Sequence, residues 1–244
     1  MKKILIIALT VFFTSCAELT PLIDTYSESL PLTEQEVSSG LKEALRIGSD
    51  SATTKLGTLN GYYGDDLVKI LLPPEADIIV TNASKIPGGD KLIEDVIKHI
   101  NYAAEDAAKE AGPIFFDAVK SITISDAFSI LNGTDDAATN YLKQKTYDQL
   151  FALYNPKIQS SLDKEIAAGI STNKSWETLT SQWNKITDNP LGQMAGLHAV
   201  KTDLDSYLTE KALDGLFLKL AEEEKNIRTD PMARVTDILK RVFK

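Results

Sequence analysis

The sequence predicts an all-α protein, a single multi-helix orthogonal bundle with one short extended segment near residues 66–73. Three observations carry this. Apolar residues recur at three- and four-residue spacing through almost every section from residue 33 to the C-terminus. The breaks between those sections hold helix stop and start signals such as Asn-Gly, Gly-Pro, Asn-Pro and Asp-Pro. Only Val68 to Leu72 has strand character, and it has no obvious partner strand.

The chain opens outside the fold. Lys2 and Lys3 form a basic region, and Ile4 to Phe13 is an apolar run of signal-peptide length, too short to span a bilayer stably. Thr14-Ser15-Cys16 follows directly and resembles the bacterial lipobox, in which Cys16 is lipidated and becomes the mature N-terminus. The expected organisation is a lipoprotein signal peptide over 1–15, a lipidated tether over 16–32 with Pro21 and Pro31, and one helical domain over 33–244. Cys16 is the only cysteine, so the domain has no disulfide, no Cys-ligated zinc and no Cys nucleophile.

Thr33 with Glu36 reads as a capping box, and Leu41, Ala44, Leu45, Gly48, Ala52 and Leu56 form the apolar stripe of the first helix. Asn60-Gly61 ends it. After the extended segment, Pro73-Pro74 stops the chain and a short helix over 76–83 is expected. The clearest helix covers about 91–111, with Asp90 as its expected N-cap and Ile93, Val96, Ile97, Ile100, Ala104 and Ala107 on its stripe. Pro113 suits the first position of the next helix, packed by Phe115 and Val119.

Ser125 to Leu142 then reads as two helices meeting at a short corner. Ser125 is the expected N-cap of the first, Asn132-Gly133 its left-handed exit, and Thr134 the cap of the second. Asn155-Pro156 is expected to open a further helix with Ile158, Leu162 and Ile166 on one face. Trp176, Leu179, Trp183 and Ile186 share a stripe that reads as core. Residues 187–202, with Asn189-Pro190 and Gly192, form the longest break and the best candidate for a lid. A long helix from about Asp203 carries Leu213, Leu216, Phe217, Leu220 and Ile227. Val235, Ile238, Leu239, Val242 and Phe243 line the last one.

Composition excludes some functions. The formal charge is −9, and loss of Lys2 and Lys3 with the signal takes it to −11. A nucleic-acid partner needs a basic face, so none is expected. HExxH, G-x-S-x-G and Walker patterns are missing, and His99 and His198 sit in no ligand-spaced motif. No catalytic residue, metal site or cofactor is therefore assigned. A carboxylate pair of the glycosidase kind would need aromatic platforms, and only 7% of residues are aromatic. The best polar candidates are Asn101 and Glu105, four apart on one helix edge, and Glu224 and Arg228, four apart with Glu224 on the apolar stripe. A buried carboxylate needs a partner. The four are expected either to form one internal polar cluster or to include a plain surface pair, Glu224 with Arg228, worth only about 0.3–0.5 kcal/mol.

Several motifs match a known pattern in order. They are NYAAE at 101–105, Asp126-Ala127 with Ile130 to Gly133, AATNY at 137–141, YLTEKALDGLF at 207–217, EEKNIRTDPMAR at 223–234, and Leu239 to Phe243. From about Leu41 to the C-terminus the chain resembles a family of bacterial envelope proteins catalogued as domain of unknown function 4197. That family commonly reads Asn-Arg-Ala-Ala-Glu where this chain has Tyr102, so any role of that Arg is absent or moved here. The resemblance implies a mostly helical lipoprotein or secreted envelope domain and brings no activity, cofactor or substrate.

Three readings follow. The first is a non-catalytic lipid-anchored envelope protein, facing the periplasm from the outer membrane, that binds another envelope protein or organises the envelope. The second is a carrier of a lipid or small apolar ligand between helices. The third is a carboxylate-based hydrolase.

Overall fold

A computed structural model of the chain describes residues 31–77, 89–167, 170–187, 190, 194 and 203–244. All elements below belong to the compact unit Glu34–Lys244. Their order is α1 (Glu34–Gly57), a 3₁₀ turn (Pro74–Ala76), α2 (Gly89–Ala108), α3 (Gly112–Lys120), α4 (Ile124–Leu131), α5 (Ala137–Leu162), β1 (Glu165–Ala167), β2 (Ile170–Ser171), α6 (Thr172–Thr187), α7 (Leu204–Thr229), a second 3₁₀ turn (Pro231–Ala233) and α8 (Asp237–Val242). The class is all-α. The strands are a scrap of antiparallel hairpin that pairs Glu165 with Ser171 and Ala167 with Ile170.

The core lies where α5 and α7 pack on each other, with α1 against α7 and α2 against α5. The stripes read from spacing supply part of it, and further residues of α5 and α7 complete it. Leu41, Ala52 and Leu56 of α1, Ile100 and Ala104 of α2, Leu142, Leu150 and Ile158 of α5, and Leu208, Leu213 and Leu216 of α7 are all buried. Each large aliphatic contributes about 1.5–3 kcal/mol by leaving water. Gly48 lies where α1 packs on α7, and a methyl there would meet the Glu223 side chain at 3.6 Å, an ordinary contact distance. Val68 and Ile70 are buried, and among the described residues no strand lies beside them, so the extended segment lies over helices.

α1 ends through Asn60, the one non-glycine residue with positive φ (63°) among the described residues. Gly61 follows because space forbids anything larger. A Cβ there would lie 2.4 Å from the Leu56 carbonyl oxygen and 2.5 Å from that of Lys55. Gly61→Ala must displace backbone, and a loss of about 1–3 kcal/mol is expected. Urea titration checks this, and an unchanged midpoint would show that the turn yields freely.

The corner after α3 differs from its sequence reading. Thr123, not Ser125, caps α4, accepting from the Asp126 N–H while Asp126 accepts from the Thr123 N–H in a full capping box. Two residues of spacing favour it, because Asp126 sits three after Thr123 and can reach back. Asn132 ends α4 near φ −88°, ψ 1° rather than in the left-handed region. Gly133 serves closeness instead, since a Cβ on it would lie 2.6 Å from the Ala137 Cβ. Thr134 does not cap α5. Its hydroxyl bonds Asp136, and α5 begins at Ala137 with no side-chain cap from its own first turn.

Further along, α5 runs straight through Pro156 to Leu162 instead of restarting there. A proline inside a helix removes one backbone hydrogen bond. Tyr154, Ile158 and Leu162 on either side of it are buried, and that packing holds the helix together. Asp90 lies in the first turn of α2 rather than at its cap. Trp176 is buried, as its stripe implied, while the side chains of Leu179, Trp183 and Ile186 lie outside the described residues. So do most of the expected helix at 76–83 and most of the candidate lid at 187–202. Val235 is exposed, because α8 starts only at Asp237, capped by Thr236.

Candidate functional site

The four polar residues singled out by spacing are placed in two groups, each with its own partners. On α2, Asn101 and Glu105 are both buried and face the segment between α1 and the first 3₁₀ turn. One Glu105 oxygen accepts from the backbone N–H groups of Tyr62 and Tyr63, both at 3.2 Å. The other accepts from the Asn60 N–H at 3.1 Å. Three N–H groups of one turn thus converge on a carboxylate, as they would on a bound anion. Positive φ at Asn60 turns the backbone into that concave shape.

One helical turn earlier, the Asn101 amide meets Ile70 from both sides. Its oxygen accepts from the Ile70 N–H at 2.8 Å, and its nitrogen donates to the Ile70 carbonyl at 2.8 Å and to the Ile97 carbonyl at 2.7 Å. A lone extended segment would otherwise bury an unpaired peptide group, which is costly. Tyr62 ties the same turn to α7 by donating its hydroxyl to the Ala212 carbonyl at 2.8 Å. Burial, then the nearby Tyr154, pushes the Tyr62 hydroxyl well above its usual range. Asp65 pairs with Lys219 at 2.7 Å, and that ammonium holds the Asp65 carboxyl below the usual range.

The second group closes the corner. Glu224 projects from α7 to the start of α5. It accepts from the Ala138 N–H at 3.0 Å, the Thr139 N–H at 2.8 Å and the Thr139 hydroxyl at 2.9 Å. These are orphan donors of a helix N-terminus, so Glu224 is the cap that the first turn of α5 lacks, supplied from another helix and favoured by the dipole. Arg228 pairs with Glu224 at 2.9 Å and donates to the Ile130 and Leu131 carbonyls at 2.9 and 3.3 Å, at the C-terminal end of α4. Arg234 does the same for α7, donating to the Ile227 and Arg228 carbonyls. Three consecutive acids of α7 thus go three ways: Glu222 pairs with Lys219, Glu223 with Lys55, and Glu224 turns inward.

Spacing showed that Glu105 and Glu224 needed partners. It did not show that the partners are backbone groups, since a peptide N–H leaves no residue-type signal. Arg234 was missed, although it falls inside the EEKNIRTDPMAR motif. Tyr102 makes an edge contact with Tyr63 at 6.2 Å between ring centres and stays partly exposed.

This arrangement suits anchoring rather than proton transfer. Every oxygen of Glu105 and Glu224 already accepts from a fixed N–H. A groove of about 740 Å³ between α2 and α5 is lined by His99, Tyr102, Asp106, Lys109, Lys157 and Lys164, among others. Within it Lys157 holds Asp106 at 3.2 Å and Glu110 at 3.0 Å, and the Lys157 ammonium keeps the Asp106 carboxyl below the usual range. A general acid needs the opposite shift. Beside Glu224 and Arg228 is a cavity of about 20 Å³, room for one water. Among the described residues no group of His, Cys, Asp or Glu could hold a metal ion, and no helix is long and apolar enough to cross a membrane.

No curated protein and no solved structure matches the chain. A family model described as a protein of unknown function, DUF4197, matches residues 31–244, which takes in both groups of polar residues and every helix among the described residues. The chain belongs to the DUF4197 family.

Proposed function

We propose that this protein is a non-catalytic, lipid-anchored cell-envelope protein whose helical domain serves as an interaction or structural module on the periplasmic side of the outer membrane. One observation supports the non-catalytic part most directly. Each carboxylate oxygen of the buried Glu105 and Glu224 accepts from a backbone N–H, and the part-buried Arg228 bonds Glu224 and two α4 carbonyls, so these groups position helices. The cavity beside Glu224 is one water in size, which gives the apolar-carrier reading no support there.

The anchor rests on Cys16 after the apolar run. Several acyl chains would hold the protein on a bilayer, each buried methylene adding about 0.8 kcal/mol, where a single chain binds only marginally. Cys16→Ser is expected to abolish metabolic labelling by a fatty acid and to move the protein from the membrane to the soluble fraction. Labelling that survives the substitution would reject the anchor.

A further inference from the structure

The loop between α7 and α8 turns apolar side chains outward and its one charge inward. Residues 231–235 read Pro-Met-Ala-Arg-Val. Met232 is 86% exposed and Val235 66%, with Pro231 exposed beside them. Arg234 is the only charged residue of the five. It is turned onto α7 and donates to the Ile227 and Arg228 carbonyls at 3.0 and 2.8 Å. The tip is held in this shape. The Asp230 carboxylate accepts from the Met232 N–H at 2.8 Å, and the Ala233 and Arg234 N–H groups bond the Asp230 and Pro231 carbonyls. Ala233 packs against the core.

Exposed apolar side chains scattered over a surface mean little, and here it is their place in the fold that gives them a partner. The tip lies at the end of the domain where the chain arrives from Cys16. α7 finishes beside the first half of α1, with Ile227 and Arg228 around the same small cavity as Leu41 and Leu45. α8 then lies on the first turns of α1. Glu36 pairs with Arg241 at 2.9 Å, and a Cβ on Gly40 would stand 2.6 Å from the Val242 side chain. Residues 231–235 join these two elements, so they sit at the Glu34 end. α1 has 24 residues and carries the chain about 36 Å from there, to the end where Leu59 is 76% exposed.

A lipid on Cys16 would make contact with the bilayer intramolecular, and that raises the effective concentration of bilayer most at the end of the domain joined to it. The weak attraction of a few apolar side chains then counts. Charge is no rival source of attraction. Lys240 is paired with Asp237 and Arg241 with Glu36, and Asp230 and Glu34 stand nearby, so this end has no cationic surplus for anionic lipid.

We propose that Met232 and Val235 enter the surface of the bilayer and set which end of the domain rests on it, with the Leu59 end facing away. The proposal rests on the lipid-anchor reading and adds an orientation to it. To test it, the lipidated full chain is reconstituted in phosphatidylethanolamine–phosphatidylglycerol vesicles. Lipidation occupies the Cys16 sulfur and the chain has no other cysteine, so Met232→Cys and Leu59→Cys each supply one thiol for an environment-sensitive fluorophore. At 232 the emission should shift to the blue, with quenching by spin-labelled lipid several-fold stronger than at 59. Val235→Asp in the 232-labelled chain should return the fluorophore to water. Val235 is exposed, so the thermal midpoint should not move. Replacing phosphatidylglycerol by phosphatidylcholine should change nothing, because the contact is apolar.

A fluorophore at 232 that stays in water while the chain floats with the vesicles would overturn the proposal and leave the anchor standing. So would equal quenching at both positions, a shift that ignores Val235→Asp, or a shift that needs phosphatidylglycerol. A blue shift in the 232-labelled Cys16→Ser chain without lipid, growing with protein concentration, would mean that the tip meets a second copy of the chain, and overturns the proposal too. An unsubstituted chain that itself takes up the fluorophore has a free Cys16 thiol, which rejects the anchor reading and the proposal together.

Discussion

Glu224→Ala should be among the most damaging single changes in the helical domain, with an expected loss of about 3–5 kcal/mol, the range for breaking a buried ion pair from one side. The cost has two parts. Arg228 would be left mostly buried with only the α4 carbonyls as partners. The Ala138 and Thr139 N–H groups, buried at the start of α5, would lose their acceptor. Urea or thermal unfolding of Glu224→Ala, Arg228→Met and the double variant Glu224→Met/Arg228→Met measures this. The double variant should be less damaged than Glu224→Ala, because it removes both charges and fills the space. Hydrogen exchange should show protection lost first over 137–140. A Glu224→Ala protein within about 0.5 kcal/mol of the parent, the size of an exposed helical pair, would mean that Glu224 is a solvated residue after all.

Glu105→Ala is expected to cost about 3 kcal/mol, from three N–H groups that lose one acceptor at about 1–3 kcal/mol for each that stays buried. Tyr62 is fully buried and bears most of it, while water can reach the Asn60 and Tyr63 groups in part. Glu105→Gln should fall between alanine and the parent. Its carbonyl can serve Tyr62 and Tyr63, but its amide then presents a donor to the Asn60 N–H. The loss should be local before it is global, with exchange rising over residues 60–70 while 137–140 stays protected. That contrast with Glu224→Ala tests whether the two groups are independent. Their summed losses should match the double variant Glu105→Ala/Glu224→Ala to within about 0.5 kcal/mol if they do not couple.

Helix content and most of the core were legible because burial at three- and four-residue spacing is a property of local sequence. Leu41 to Leu56, Val96 to Ala107 and Leu213 to Ile227 read directly as buried faces. The buried carboxylates were legible for the same reason, since an acid on an apolar stripe is conspicuous. Errors gathered where a local signal had a local rival. Ser125 and Thr123 both suit an N-cap, and only the reach of Asp126 decides between them. Asn155-Pro156 has the form of a helix start, yet Tyr154 and Ile158 are buried on both sides of it and α5 continues. Gly133 has the form of a left-handed exit, and its use is instead to admit Ala137.

The all-α class, the order of helices and the need of Glu105 and Glu224 for partners follow from residues close together in the chain, because helical periodicity, capping and desolvation are local or additive. The identity of the partners was decided by the packed structure alone. Glu224 lies 86 residues from Ala138, and Asn101 lies 31 from Ile70. In each pair one partner is a backbone group, which every residue but proline offers alike. Nothing in residue type marks which peptide N–H will be left without water until the helices come together and exclude it.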